Sequence, residues 1–235
     1  VNLVKKFILG VCLAMTALNV SMLSATEYMN MDFTPPEQGG YGTVFGTPSV
    51  ESSVGPLQNA LVFNAVTSYE QIRIDMPQNS RGYEIHYDVY THNLRDSKYA
   101  FTVLFDTPEV RTMSFHGGLN RLSIYRPGFS GYGPAFNDDQ VYHVGMWIDF
   151  LNNTWTVSLD GVAFQPIAFD AAYIESIRFS MAPAFGSALD APDTYVALDN
   201  LVITSVPEPP AWSLVLTALV TVGMWSHRKR LHQSS

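Results

Sequence analysis

The chain has a single cysteine, Cys12, and none beyond it. That excludes a disulfide framework, a thiolate zinc site and a thiol nucleophile from everything after the first residues. Charge is also scarce, at 14% of residues. Basic side chains are scarcest: from 26 to 205 they number eight, against twenty carboxylates. A body this acidic repels phosphate backbones, so nucleic acid is excluded as a partner. The middle of the chain shows no internal repeat, no low-complexity tract and no amphipathic helical period. A domain exported without disulfides has only its core to hold it, and about 180 residues suffice for one.

Long apolar runs occur only at the two ends. Near the start, Lys5-Lys6 precede Phe7 to Leu18, followed by the small-residue stretch Ser21 to Ala25. This is the order of a secretory signal peptide, so 1–25 is expected to be a leader handled by the Sec translocon and signal peptidase. An uncleaved N-terminal anchor is the other reading. Cys12 follows Val11, not the small residue a lipoprotein needs.

At the far end, Val206, Pro207, Glu208 and Pro209 precede an uncharged run from Ala211 to Trp225, then His227, Arg228, Lys229 and Arg230. At roughly 1.5 Å per residue the run spans about 22 Å against about 30 Å of bilayer hydrocarbon, so a helix over 211–226 crosses only with snorkelling basic ends. The basic cluster is expected on the cytoplasmic side of the inner membrane, with the body outside.

Those three parts in that order resemble the PEP-CTERM sorting signal of Gram-negative bacteria, many of which secrete exopolysaccharide. The resemblance covers 206–235 and implies recognition by an exosortase, a membrane-embedded cysteine protease, with delivery to the cell surface or extracellular matrix. Pro210 departs from the pattern, which usually has a small residue there. A plain C-terminal anchor is the alternative.

Between the ends, period-two alternation predicts strands. Leu61 to Ala65, Gln71 to Met76, Tyr83 to Thr91, Tyr99 to Phe105, Val110 to His116 and Leu119 to Tyr125 all qualify. So do Tyr142 to Phe150, Trp155 to Leu159, Ile177 to Met181 and Tyr195 to Thr204. Asn152-Asn153 and Asp160-Gly161 supply tight turns. The expected body, 26–205, is an all-β antiparallel sandwich or jelly roll. Residues 34 to 56, rich in Gly, Pro and Ser, read as an irregular lead-in, and Pro127 to Phe136 as a Gly/aromatic loop whose rings fold onto the sandwich edge.

Tyr142-His143-Val144 running to Asp160-Gly161, and the end Ala197 to Ile203, are similar to parts of the concanavalin A-like lectin/glucanase superfamily, in particular its LamG-like members. The match covers about 30 residues and implies the fold without naming a ligand.

Three sets of side chains are candidates for chemistry. His86, Asp88 and Tyr90 share one strand face, and His143, Trp147 and Asp149 another; together they suit a carbohydrate platform, since rings meet C–H groups and planar polar groups meet hydroxyls. Glu84, His86 and Asp88 approach the Glu-x-Asp-x-Glu pattern of catalytic relatives but carry a histidine centrally and lack the second glutamate. Asp138 and Asp139, and separately Asp190 and Asp193, are loop carboxylates with which calcium coordination could begin. The expectation is a binding or structural protein rather than an enzyme, with no cofactor other than calcium. The alternative is a glycan-cleaving enzyme.

Overall fold

The computed structural model describes residues 26–33, 44–64, 70–79, 81–95, 97–108, 110–183 and 193–206. The leader at 1–25 and the tail from Pro207 onward lie outside them. Among the described residues no helix is long and apolar enough to cross a membrane.

Residues 27–206 form one unit of strands. In chain order these are β1 (Thr26–Met31), β2 (Val44–Phe45), β3 (Ser49–Glu51), β4 (Ala60–Asn64), β5 (Glu70–Asp75), β6 (Gly82–His92), β7 (Tyr99–Asp106) and β8 (Arg111–His116). A 3-10 turn, Gly117–Leu119, leads to β9 (Arg121–Arg126), β10 (Phe129–Ala135), β11 (Val141–Asp149) and β12 (Thr154–Leu159). The short β13 (Val162–Ala163) and β14 (Ile167–Ala168) precede β15 (Ser176–Pro183) and β16 (Tyr195–Ser205).

They form two antiparallel sheets. Sheet A runs β13-β12-β11-β6-β16-β4-β3, with β1 also on β16 and β14 on β12. Sheet B runs β10-β9-β8-β7-β15-β5-β2. The chain passes repeatedly from one sheet to the other, so neighbours such as β6 and β16 are distant in sequence.

Alternation decides which side chains meet between the sheets. On β6, Tyr83, Ile85, Tyr87 and Val89 are buried, while Glu84, His86 and Asp88 point outward. Rings from opposite sheets pack edge to face: Tyr87 on Phe179 at 5.4 Å, Phe105 on Trp155 at 5.2 Å. Such pairs contribute about 0.5–1.5 kcal/mol beyond area burial. The sandwich is thus held by interlocked rings, without a disulfide.

The expected strands are present, with two corrections. Residues 127–136 are not a loop: 129–135 form β10, hydrogen-bonded to β9. Glycine and proline normally signal a turn, but an edge strand pairs on one side only and tolerates both. The lead-in is likewise not wholly irregular, since β2 and β3 fall within it.

A second, smaller core lies on the outer side of sheet A. Val54 and Leu57 pack on Ala60, Val62, Tyr90 and Ala197. Gly55 has φ +56°, and a Cβ there would lie 2.6 Å from the Tyr90 ring. This segment covers one half of the outer face, which leaves the other half as open ground.

Candidate functional site on the open face of sheet A

β6 and β11 pair without a bulge, so Trp147 stands opposite Glu84, Gly145 opposite His86, and His143 opposite Asp88. All six share the outward face. Gly145 is what shapes it. A Cβ at 145 would lie 2.7 Å from the indole of Trp147 and 2.8 Å from Ser158 Oγ. Without it, the indole reclines across the sheet.

Trp147 Nε1 donates to Glu84 Oε1 at 2.9 Å, and His86 Nε2 meets the same oxygen at 2.8 Å. The imidazole and indole rings meet nearly perpendicular, 5.4 Å apart. Trp147 is still 38% exposed. The result is an aromatic surface held by hydrogen bonds rather than by burial.

Asp88 organises the other end. Its Oδ1 is bonded to His143 Nδ1, and its Oδ2 accepts from Asn200 Nδ2 at 2.8 Å. Each imidazole thus has one nitrogen held by a carboxylate and its other nitrogen turned away from that bond.

Asn200 reaches Asp88 because β16 bulges between Asp199 and Val202. Asn200 has φ +51°, which asparagine tolerates. Beside it is a cleft of about 490 Å³ lined by Asp32, Gln58, Asn59, Asp88, Asp199 and Asn200. Asp199 is only 5% exposed. Burial pushes its pKa up, and the nearby charges of Asp88 and Asp32 add to the rise.

The structure brings His86, Asp88, His143 and Trp147 onto one accessible surface. It places the other candidates differently. Tyr90 shares the β6 face, but its ring lies under Gly55 and its hydroxyl donates to Asp139 at 2.8 Å. Asp149 shares the β11 face and is spent on the turn that follows, accepting from the backbone of Leu151 and Asn152 and from the Asn152 side chain. Asp138 accepts from the backbone N–H groups of Leu94 and Arg95. Asp139 accepts from Tyr90 and bonds His92 at 2.6 Å, and these bonds hold its pKa down. Asp190 lies outside the described residues. Among the described residues no three His, Cys, Asp or Glu side chains are placed to hold a metal.

Glu84 and Asp88 flank His86 in separate hydrogen-bond sets. Sequence reasoning overlooked Gly145, Asp199 and Asn200. A signal existed for the last two: the buried phase Val196, Leu198 jumps to Leu201, Ile203, which marks a bulge.

No family model and no curated protein matches the chain. Solved structures do match. A structure titled apo Crh5 transglycosylase aligns at 12% identity and a TM-score of 0.57, covering 80% of this chain and 87% of its own. The binding domain of botulinum neurotoxin serotype D aligns at 8% identity and a TM-score of 0.56, over 82% of this chain and 52% of that one. The receptor-binding domain of a C/D mosaic neurotoxin gives 8% identity and 0.56, over 82% and 51%. The chain spans about half the length of the neurotoxin domains. At these identities the likeness establishes a shared β-sandwich, the jelly-roll architecture, and nothing finer.

Proposed function

We propose that this is an exported component of the cell envelope or extracellular matrix, sorted by an exosortase, whose concanavalin A-like sandwich binds polysaccharide on the open half of sheet A. The reclined, half-open Trp147 carries this reading. A fixed ring flanked by Glu84, Asp88, His86 and His143 offers one apolar surface and several hydrogen-bonding groups at set positions. Carboxylates accept from hydroxyls, so the face suits a neutral glycan. The export and sorting parts rest on the leader-like start and on the motif Val206 to Pro209 with its basic cluster.

A second reading, glycan cleavage or transfer, is favoured by the transglycosylase among the matching structures and by the Glu84-His86-Asp88 line. The two readings part on a direct test. The full-length chain is applied to a glycan array with and without calcium, and its hits are assayed for binding and for turnover. Binding without turnover is expected, and Trp147→Ala should weaken it roughly threefold to tenfold, the range of a lost aromatic contact. Turnover that disappears in Glu84→Gln and Asp88→Asn would favour the enzyme instead. No glycan signal at all would leave a spacer protein and defeat both.

A further inference from the structure

From Val110 to Asn137 the chain holds Arg111, Arg121 and Arg126 and no carboxylate, inside a body with twenty. Arg111 is buried, its guanidinium 4.9 Å from the Phe169 ring. The other two lie on β9, in sheet B.

Arg126 lines a cleft of about 420 Å³ at the mouth between the sheets. Small-ligand clefts run from roughly 300 to 1,000 Å³. Its floor is Ile124 with Gly131 and Gly133, and its walls are Phe129, Phe164 and Ile167. A Cβ on Gly131 would lie 2.7 Å from the Phe129 ring; one on Gly133 would lie 3.1 Å from Leu122 and 3.5 Å from Phe164. The glycines let the rings fold inward and keep the floor low. Among the described residues no acidic side chain lines the cleft.

The guanidinium of Arg126 sits 5.5 Å over Phe129 and donates one bond, to the carbonyl of Pro127 at 3.3 Å. Its Nε is shut off from solvent and has no partner among the described residues. A guanidinium has five N–H donors in a fork that matches a carboxylate. Arg121 lies outside the cleft, on the outward face of sheet B, with its guanidinium 5.8 Å from the ring of Tyr132. The cleft therefore combines a cation with spare donors, exposed ring faces and room for a ring-sized ligand.

We propose that this cleft is a second binding site, and that it takes a carboxylate-bearing sugar unit of an acidic polysaccharide. Arg126 receives the carboxylate, and Phe129 and Phe164 meet the C–H face of the ring. The open face of sheet A is unsuited to the same ligand, because Glu84, Asp88 and Asp199 would repel it. The proposal stands apart from the reading of that face and does not require it.

The test is calorimetric titration of the full-length chain at low salt with oligogalacturonate and with a malto-oligosaccharide of equal length. Oligogalacturonate is expected to bind at least about tenfold more tightly, with affinity falling as salt rises. Arg126→Gln should weaken it roughly tenfold or more, the scale of a lost bond to a charged group. Gln165 lines the cleft and is exposed, so its variants test the charge without touching the core: Gln165→Glu should weaken binding and Gln165→Lys should tighten it. Trp147→Ala should leave it unchanged. No binding of oligogalacturonate, equal affinity for the neutral oligomer, wild-type affinity in both Arg126→Gln and Gln165→Glu, or loss of binding in Trp147→Ala would each overturn the proposal.

Discussion

At Gly145 a missing methyl group decides how Trp147 lies, and with it the shape of the candidate site. Gly145→Val would drive the indole off the sheet and crowd Ser158, since even a Cβ falls under 3 Å from both. Its neighbour in function, Asp199, makes a pH prediction. Its folded pKa is raised, so its proton is held more tightly in the fold than in the unfolded chain. That contribution is complete below the unfolded pKa of about 4 and is lost as pH rises through the folded value. Asparagine cannot ionise and keeps an oxygen for the Asn200 N–H at 2.7 Å. Asp199→Asn should therefore melt higher than the parent at pH 7, by about 2–4 °C for each kcal/mol, and at the parent's own temperature near pH 3; a lower melting temperature at pH 7 would contradict this. Alternation was enough to put His86, Asp88, His143 and Trp147 on outward faces. It could not show Tyr90 covered, because the cover, Gly55, comes from a segment 35 positions away.

Among the elements, the two hairpin turns were legible from residue type alone. Asn153, Asp160 and Gly161 all have positive φ, the conformation their side chains or lack of one permit. β10 was not legible, because its glycines and Pro134 carry a turn signature that only its edge position reconciles with a strand. The end of β16 shows how one loop residue can secure an element. Asn79 accepts from the N–H groups of Arg81 and Gly82 and donates to the carbonyl of Val206 at 3.0 Å. Val206 also donates to Gly82 O at 3.0 Å. The chain thus leaves the sandwich at a clamped point, at Val206. Asn79→Ala should cost about 1–3 kcal/mol in denaturant unfolding, and amides at the end of β16 should exchange hydrogen faster than those at its centre. An unchanged midpoint and unchanged exchange would show the clamp to be dispensable.

For the whole molecule, the segregation of charge matters more than its total. Carboxylates gather on the open face of sheet A, while β9 and β10 carry arginine and no acid. If the ends act as the sequence suggests, this body works outside the cytoplasm. In a Gram-negative host that has an exosortase, the full chain should reach the surface or medium; replacing Arg228, Lys229 and Arg230 with serine should hold it back unprocessed, and deleting 1–25 should leave it in the cytosol, as fractionation and blotting would show. Equal distribution of all three forms would refute the sorting account. The amino-acid order alone determined the all-β class, the inward and outward face of each long strand and the turns, because these depend on residues within a few positions of one another. Only the tertiary structure decided which outward residues stay open, which carboxylates serve turns, and that a cleft forms at Arg126. Those outcomes depend on register and crossings between strands far apart in the chain, where one bulge or one glycine moves a side chain from solvent to contact.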